Sequence, residues 1–206
     1  MTPILSIIIP HKRTPMNNLS MVMNFDMLLH NTVNSFELII DTESPKDPYR
    51  IWNESAVAAR GDILVFTNSD VLMAPGWDEM FVKHMQDNAI LVGYLIEHGT
   101  TIGVARENVY RSFGKDPIEF NCLKFENWVS THRNNVPECK EGRGWYMPCA
   151  FRRDWFLRTG GFDTTLGFPN PNDSMFFDKC RDTLGTKFYR IRSFAYHFQS
   201  LSTRDD

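Results

Sequence analysis

Short and almost uninterrupted apolar runs constrain the fold more than any other feature of this sequence. The first three occupy residues 4–9, 36–40 and 63–66, and they are rich in isoleucine and other strand-forming side chains. A strand that is apolar on both faces is typical of a mostly parallel sheet with helices packed on both sides. The sequence therefore predicts an α/β fold with a central, mostly parallel sheet flanked by helices.

The segments between these runs have helical spacing. Leu19, Val22, Met23 and Met27 recur at helical intervals after Asn17-Asn18, which are candidate cap residues. Residues 49–60 predict a short helix that Gly61 would stop. Later elements are predicted as a helix opening at residue 75, strands at 89–95, 145–151 and 187–191, and helices at 118–129 and 174–182. The alternation of strands and helices gives the N-terminal half a Rossmann-like pattern.

The length and composition indicate one domain of ordinary globular type. The chain has 206 residues, 42% of them hydrophobic, and a formal net charge of -3 with Lys and Arg scattered, which argues against a nucleic-acid partner. The four cysteines form no C-x-x-C pair, so buried free thiols are expected rather than a zinc ribbon or a disulfide framework. The apolar start "MTPILSIIIP" is too short for a signal or an integral membrane segment. We therefore expect a cytoplasmic protein.

Polar side chains follow each of the first three predicted strands. Pro10-His11 follows the first strand, Asp41 the second, and Asn68-Ser69-Asp70 the third. In open α/β sheets, ligands bind beyond the carboxyl ends of the strands. The sequence therefore predicts a binding site at this rim, with two carboxylate-bearing strand ends.

Six segments taken in order resemble a family 2 glycosyltransferase of the GT-A fold. They are "ILSIIIPHKR", "FELIIDTES", "WNESAVAARGDILVFTNSDV", "FRRDWFLRTGGFD", "NDSMFF" and "YHFQSLS". The resemblance spans nearly the whole chain and implies a single GT-A-like domain over residues 1–206. Residues 1–100 would bind the nucleotide sugar, and residues 101–206 would bind the acceptor and carry a mobile loop around 134–144.

The resemblance implies an inverting transferase with a nucleoside-diphosphate sugar as donor, a UDP-sugar being favoured, and a glycan or other hydroxyl compound as acceptor. In that family, the last carboxylate of a D-x-D motif binds a divalent cation on the donor diphosphate. Asp70 matches that carboxylate, while Asn68 replaces the first acidic residue. His197 matches a late histidine near the metal, and an imidazole ligand would favour Mn²⁺ over Mg²⁺. A hydrogen-bonded structural histidine is an equal alternative for His197.

The resemblance also implies roles for residues that would contact the donor and the acceptor. Asp173 matches the catalytic base, although Asn-Asp-Ser before an apolar run is also a helix N-cap. For Arg50, surface charge is an equal alternative, and Asn53 could instead cap a helix. Trp145 and Tyr146 are candidate acceptor contacts, with core packing as the alternative. The nucleotide-sugar contacts implied by the resemblance are Pro10, His11, Asp41, Arg50, Asn53, Asn68 and Ser69.

Two other functions remain open from the sequence. A catalytically inactive nucleotide- or carbohydrate-binding module of the same fold is compatible with Asn68. A nucleotidyltransferase would require a glycine-rich phosphate loop after the first strand, and "PHKRTPMNN" contains no glycine. The sequence does not indicate the donor sugar, the acceptor or the oligomeric state.

Overall fold

The structure, a computed structural model, describes residues 2–42, 47–98, 109–142, 147–165 and 172–198. The strands are β1 (Leu5–Pro10), β2 (Phe36–Asp41), β3 (Ile63–Phe66), β4 (Val71–Met73), β5 (Ala89–Glu97), β6 (Val109–Tyr110), β7 (Cys139–Glu141), β8 (Cys149–Arg152) and β9 (Lys187–His197). The helices are α1 (Pro15–Asn31), α2 (Pro48–Ala58), α3 (Trp77–His84), α4 (Cys122–His132), α5 (Arg153–Thr159) and α6 (Asn172–Leu184). None of the described helices is both long and apolar enough to cross a membrane.

The central sheet is mixed but mostly parallel. Its main path runs β2-β1-β3-β8-β5-β9-β4, with β6 beside β5 and β7 beside β9. The pairs β1–β2, β1–β3 and β5–β9 are parallel, whereas β8 runs antiparallel to both of its neighbours. The predicted α/β class, the single domain and the mostly parallel sheet flanked by helices are confirmed.

Alternate residues of β1 contribute to two separate cores. Leu5, Ile7 and Ile9 pack in a cluster that includes side chains of α1 and α3. Ile8 belongs to a second cluster, which contains side chains of α2, α5 and α6. The strand is therefore buried on both faces, as its continuous apolar run predicts.

Helix α1 buries a more polar face than its apolar spacing indicates, although Met27 of the apolar set is buried. Thr14, and not Asn17 or Asn18, caps its N-terminus. Val22 is 67% exposed, while Asn24 is completely buried. The buried face contains the polar residues Asn17, Ser20, Asn24 and Asn31 beside Met21, Met27 and Leu28. A helix usually buries apolar side chains. Here polar side chains can be buried because they hydrogen-bond to partners described below.

Gly61 has a different role from the predicted helix stop. Helix α2 ends at Ala58, with Ala59 as the C-cap. A Cβ atom on Gly61 would lie 2.6 Å from the backbone carbon of Leu5 and 2.7 Å from the nitrogen of Ser6. Glycine is required here because the backbone passes directly against β1.

Four regular elements were not predicted: β4, β6, β7 and α5. Strand β7 and a 3-10 turn over Arg133–Asn135 lie in the segment expected to be a loop. Cys139 and Glu141 pair with Ile191 and Tyr189 of β9, so this part of the segment is tied to the sheet. Its short polar sequence carries no apolar periodicity, which is why it resembles a loop. The mobility of the segment stays a prediction.

Candidate active site

The carboxyl ends of β1, β2 and β3 meet at one rim of the sheet. Pro10 is the register partner of Asp41, and the backbone N–H of His11 donates to the carbonyl of Asp41 over 2.9 Å. Thr67, the first residue after β3, donates its backbone N–H to Ile8 over 3.2 Å. The structure therefore brings the three predicted strand ends together.

The tip that follows β3 is held in place by polar side chains of α1. The Asn24 amide donates to the carbonyl oxygens of Asn68 and Val71 over 3.1 and 2.9 Å. Ser20 donates its hydroxyl to the Ser69 carbonyl over 2.8 Å, and the Ser69 hydroxyl donates to the Asn17 amide oxygen over 2.6 Å. Together with the bond from the Val71 N–H to the Asn68 carbonyl, these bonds fix the path of residues 68–71.

Asp70 and His197 lie together at this rim, as the resemblance implies. Asp70 immediately precedes β4 and is completely buried, while His197 ends β9. Val71 is the register partner of His197, and the backbone N–H of Phe198 donates to the Asp70 carbonyl over 3.2 Å. The Nε2 atom of His197 lies 3.6 Å from Oδ2 of Asp70.

A second carboxylate, Glu97, lies on the other nitrogen of the same imidazole. The Nδ1 atom of His197 lies 3.2 Å from Oε1 of Glu97, which ends β5. Burial alone would lower the pKa of His197, but its interactions with Asp70 and Glu97 outweigh burial and raise the pKa to about 9. Sequence reasoning missed Glu97, although its position after the apolar run of β5 resembles that of the polar residues after β3.

Asp173 lies in the first turn of α6, at the same end of the sheet. Its Oδ1 accepts the backbone N–H of Ser174 over 2.7 Å. Asp173 lies near Tyr49: burial first, and then the Asp173 charge, raises the pKa of Tyr49 to about 12. Burial, followed by the Asp173 charge, also raises the pKa of the Cys149 thiol. Because Cys149 is the register partner of Phe66, Asp173 lies close to where β3 ends. Tyr49 was not predicted as a site residue.

Asn53 holds a backbone turn at the position of the "GGFD" segment. Its Nδ2 donates to the Phe162 carbonyl over 2.8 Å, and its Oδ1 accepts the Phe162 N–H over 3.0 Å. Gly161 has a φ of +70°, and a Cβ on it would collide with Oδ1 of Asn53. Asp47, and not Asn53, caps α2. Both polar atoms of Asn53 are thus engaged in holding the turn.

The same turn supports the helix that carries Asp173. The Phe162 ring packs 4.6 Å, centroid to centroid, from the ring of Phe176 in α6. The Phe162 ring also lies 5.3 Å from that of Tyr49, which lies near Asp173. Asn53, Phe162 and Tyr49 therefore form a connected support between α2 and the start of α6.

The other predicted site residues differ from one another in exposure and in their hydrogen-bond partners. Arg50 lies on the exposed side of α2, where its Nε donates to Glu54 over 2.7 Å, as the surface-charge alternative expects. Ser69 is buried and engaged with α1, whereas Asn68 is partly exposed. The His11 ring is nearly buried and lies 2.9 Å from Oδ1 of Asn18. Trp145 and Tyr146 lie outside the described residues.

The chemistry of Asp70 and His197 suits a divalent cation. Bonds of about 2.1 Å to one ion allow two ligand atoms to be about 3–4 Å apart, which matches the observed pair. In the described ranges, no group of three or more His, Cys, Asp or Glu side chains is arranged to hold a metal ion. Two protein ligands leave coordination positions for phosphate oxygens, as is usual for cations that bind with a nucleotide.

Comparison with known proteins identifies related sequences and folds. The model of the family described as "Glycosyl transferase family 2" matches residues 38–157, which is more than half of the chain. No curated protein matches the chain. Among solved structures, the crystal structure of GalNAc-T7 with UDP, GalNAc and Mn²⁺ aligns with a TM-score of 0.56 and 14% sequence identity. The alignment covers 95% of this chain but only 44% of the GalNAc-T7 chain, so the two share a fold over less than half of that structure.

Proposed function

This chain belongs to glycosyl transferase family 2, and from that membership we propose that it transfers a sugar from a nucleoside-diphosphate sugar to a hydroxyl group with inversion at the anomeric carbon. The observation that carries the proposal is the Asp70–His197 pair, 3.6 Å apart at the rim where β1, β2 and β3 end. A UDP-sugar is the favoured donor because the GalNAc-T7 structure contains UDP.

Asp70 and His197 would hold a divalent cation beside the donor diphosphate. When bound, the cation offsets the negative charge that develops on the departing nucleoside diphosphate. A carboxylate and an imidazole favour Mn²⁺ over Mg²⁺, and Mn²⁺ is present in the GalNAc-T7 structure. Asn68, which is partly exposed at the same tip, can hydrogen-bond a donor hydroxyl.

Asp173 would act as the general base. The acceptor oxygen forms a bond to the anomeric carbon from the face opposite the diphosphate, the bond between that carbon and the phosphate oxygen breaks, and the hydroxyl proton passes to Asp173. Tyr49 of α2 would help to position Asp173, because it lies close enough for the Asp173 charge to raise its pKa and it packs against Phe162.

Two variants separate donor binding from transfer. We expect Asp173→Asn to retain Mn²⁺-dependent UDP binding and to reduce turnover by at least about 100-fold, the usual contribution of a general base. Asp70→Ala should instead lose most of the Mn²⁺-dependent part of UDP binding. Calorimetric titration of UDP with and without Mn²⁺ measures binding, and release of UDP from a panel of UDP-sugars with glycan acceptors measures turnover.

Asp178→Asn is the matched control, since it makes the same chemical change on the same helix at a half-exposed position that pairs with Arg181. It should bind and turn over as the wild type does. Turnover by Asp173→Asn equal to that of the control would remove Asp173 from the mechanism. Tight UDP binding by the wild type with no transfer to any acceptor would favour the inactive binding module.

A further inference from the structure

Glu97 and His197 occupy equivalent positions on neighbouring strands. They end β5 and β9, and they are register partners in the parallel pairing of these two strands. The backbone N–H of His98 donates to the His197 carbonyl over 3.3 Å, which continues the pairing past both residues. Both side chains therefore start from fixed backbone positions on adjacent strands.

The imidazole of His197 lies between two carboxylates that approach opposite sides of the ring. Glu97 is 3.2 Å from Nδ1, while Asp70 is 3.6 Å from Nε2. The Glu97 side chain is 12% exposed and the His197 side chain 20%, so the arrangement is largely screened from water. Because the two ring nitrogens point away from each other, Glu97 contacts the side of the ring remote from Asp70.

An imidazole that binds a metal through one nitrogen needs an acceptor for the N–H of the other. Such an acceptor fixes the orientation of the ring and the tautomer that leaves the first nitrogen available. The contact between Glu97 and Nδ1 meets this requirement, and it leaves Nε2 on the side of Asp70.

We infer that Glu97 is a positioning residue, which holds His197 with Nε2 directed to a divalent cation shared with Asp70. This inference rests on the proposed function, since it assumes that a cation binds at Asp70 and His197. Glu97 itself does not contact the cation and acts only through the imidazole.

The test measures Mn²⁺ affinity directly, by electron paramagnetic resonance of free Mn²⁺ in the presence of saturating UDP. We expect Glu97→Ala to weaken Mn²⁺ binding 10- to 100-fold, the usual effect of losing the partner of a metal-binding histidine. Glu97→Gln should recover part of the affinity, because its amide oxygen still accepts the Nδ1 proton. Asp87→Asn, a change at a 94% exposed carboxylate, controls for the loss of one negative charge and should bind Mn²⁺ normally.

A double-mutant cycle distinguishes positioning from a general structural effect. If Glu97 acts through His197, the double variant Glu97→Ala/His197→Ala binds Mn²⁺ no more weakly than His197→Ala alone. Additive losses, or wild-type affinity in both Glu97 variants, would overturn the role of Glu97. If the wild type itself takes up no Mn²⁺ with UDP, the cation in the proposed function is refuted, a result separate from unchanged affinity in the Glu97 variants.

Discussion

Buried polar residues join neighbouring strands through specific partners. Ser6 lies on β1 inside the sheet, and its hydroxyl donates to Oε1 of Glu37 over 2.6 Å. The same oxygen of Glu37 accepts the Arg60 backbone N–H, and its second oxygen accepts the Arg60 guanidinium over 2.7 Å. Gly61 donates its N–H to the Ser6 hydroxyl over 2.8 Å. This network ties the start of β3 to both β1 and β2.

The Glu37 network makes stability depend on pH. Burial would raise the pKa of Glu37, but hydrogen bonds from Ser6 and Arg60 outweigh it and lower the pKa from 4.5 to about 2. A carboxyl with a lowered pKa in the folded state stabilises the protein above about pH 4.5, and this contribution disappears as the pH falls towards 2. Urea unfolding should therefore show that Glu37→Gln loses about 2–3 kcal/mol at pH 7 and much less near pH 3.

The exposed Glu54 offers a control for this measurement. Glu54→Gln removes a surface ion pair with Arg50, so it should change stability by less than about 0.5 kcal/mol at any pH. If the difference in unfolding free energy between Glu37→Gln and the wild type were the same at pH 7 and at pH 3, the assigned pKa would be contradicted.

The sequence does not indicate the partners of the candidate site residues. Asp70, His197 and Asp173 are placed at the rim where the resemblance implies, and their chemical roles stay predictions. The contacts of Asn53 with Phe162 and of Ser69 with Asn17 join residues 109 and 52 positions apart, so no local pattern indicates them. Glu97 and Tyr49 likewise lie beside residues that are distant in the chain, His197 and Asp173.

At the level of elements, α1 fixes the backbone of the tip that follows β3. Four polar side chains, at positions 17, 20, 24 and 31, bond residues 12, 68, 69, 71 and 73, so the helix specifies the path of the chain from Asn68 to Met73. Its outer side carries Val22 and Leu29, which are 67% and 53% exposed.

Stability measurements on α1 can test which of its faces is buried. Asn24→Leu removes two hydrogen bonds to the tip and should cost about 1–3 kcal/mol in the free energy of unfolding. Val22→Asn, on the exposed side of the same helix, should cost less than about 0.5 kcal/mol. Equilibrium unfolding in urea measures both. A large loss for Val22→Asn together with a small one for Asn24→Leu would show that the apolar side of α1 is the buried one.

The predicted bounds agree best for strands that are continuous runs of buried apolar residues. Strand β3 has the predicted bounds, β2 extends one residue further than predicted, and β1 is shifted by one residue at both ends. The polar part of the buried face of α1 was not predicted, because a buried asparagine and an exposed asparagine look alike in the sequence. Strand β4 was missed because it is three residues long and follows the polar tip directly, so it has no pattern of its own.

At the level of the whole molecule, the two halves of the chain share one sheet. Strand β8 lies between β3 and β5, and β9 joins β5 to β4. Strands from beyond residue 100 are therefore inserted among strands from the first 100 residues. The division into a donor-binding and an acceptor-binding half stays a prediction about function.

This topology predicts that residues 1–100 do not fold alone. Without β8 and β9, the inner edges of β3, β4 and β5 lose their partners, and the apolar side chains of these strands are exposed. We expect the fragment to aggregate or to show no cooperative thermal transition by circular dichroism. A fragment of residues 1–198, which keeps every described element, is the control and should unfold cooperatively. A sharp transition for residues 1–100 would contradict the prediction.

The order of strands also affects how the protein matures on the ribosome. Asp70 emerges early, but it meets its imidazole only after the last strand has been synthesised and has paired with β4. A nascent chain that stops before residue 187 therefore lacks β9 and leaves Asp70 without His197 beside it, however much of the earlier sheet has formed. The proposed cation site is therefore expected to be completed only once β9 has been synthesised, and truncation before β9 should remove it.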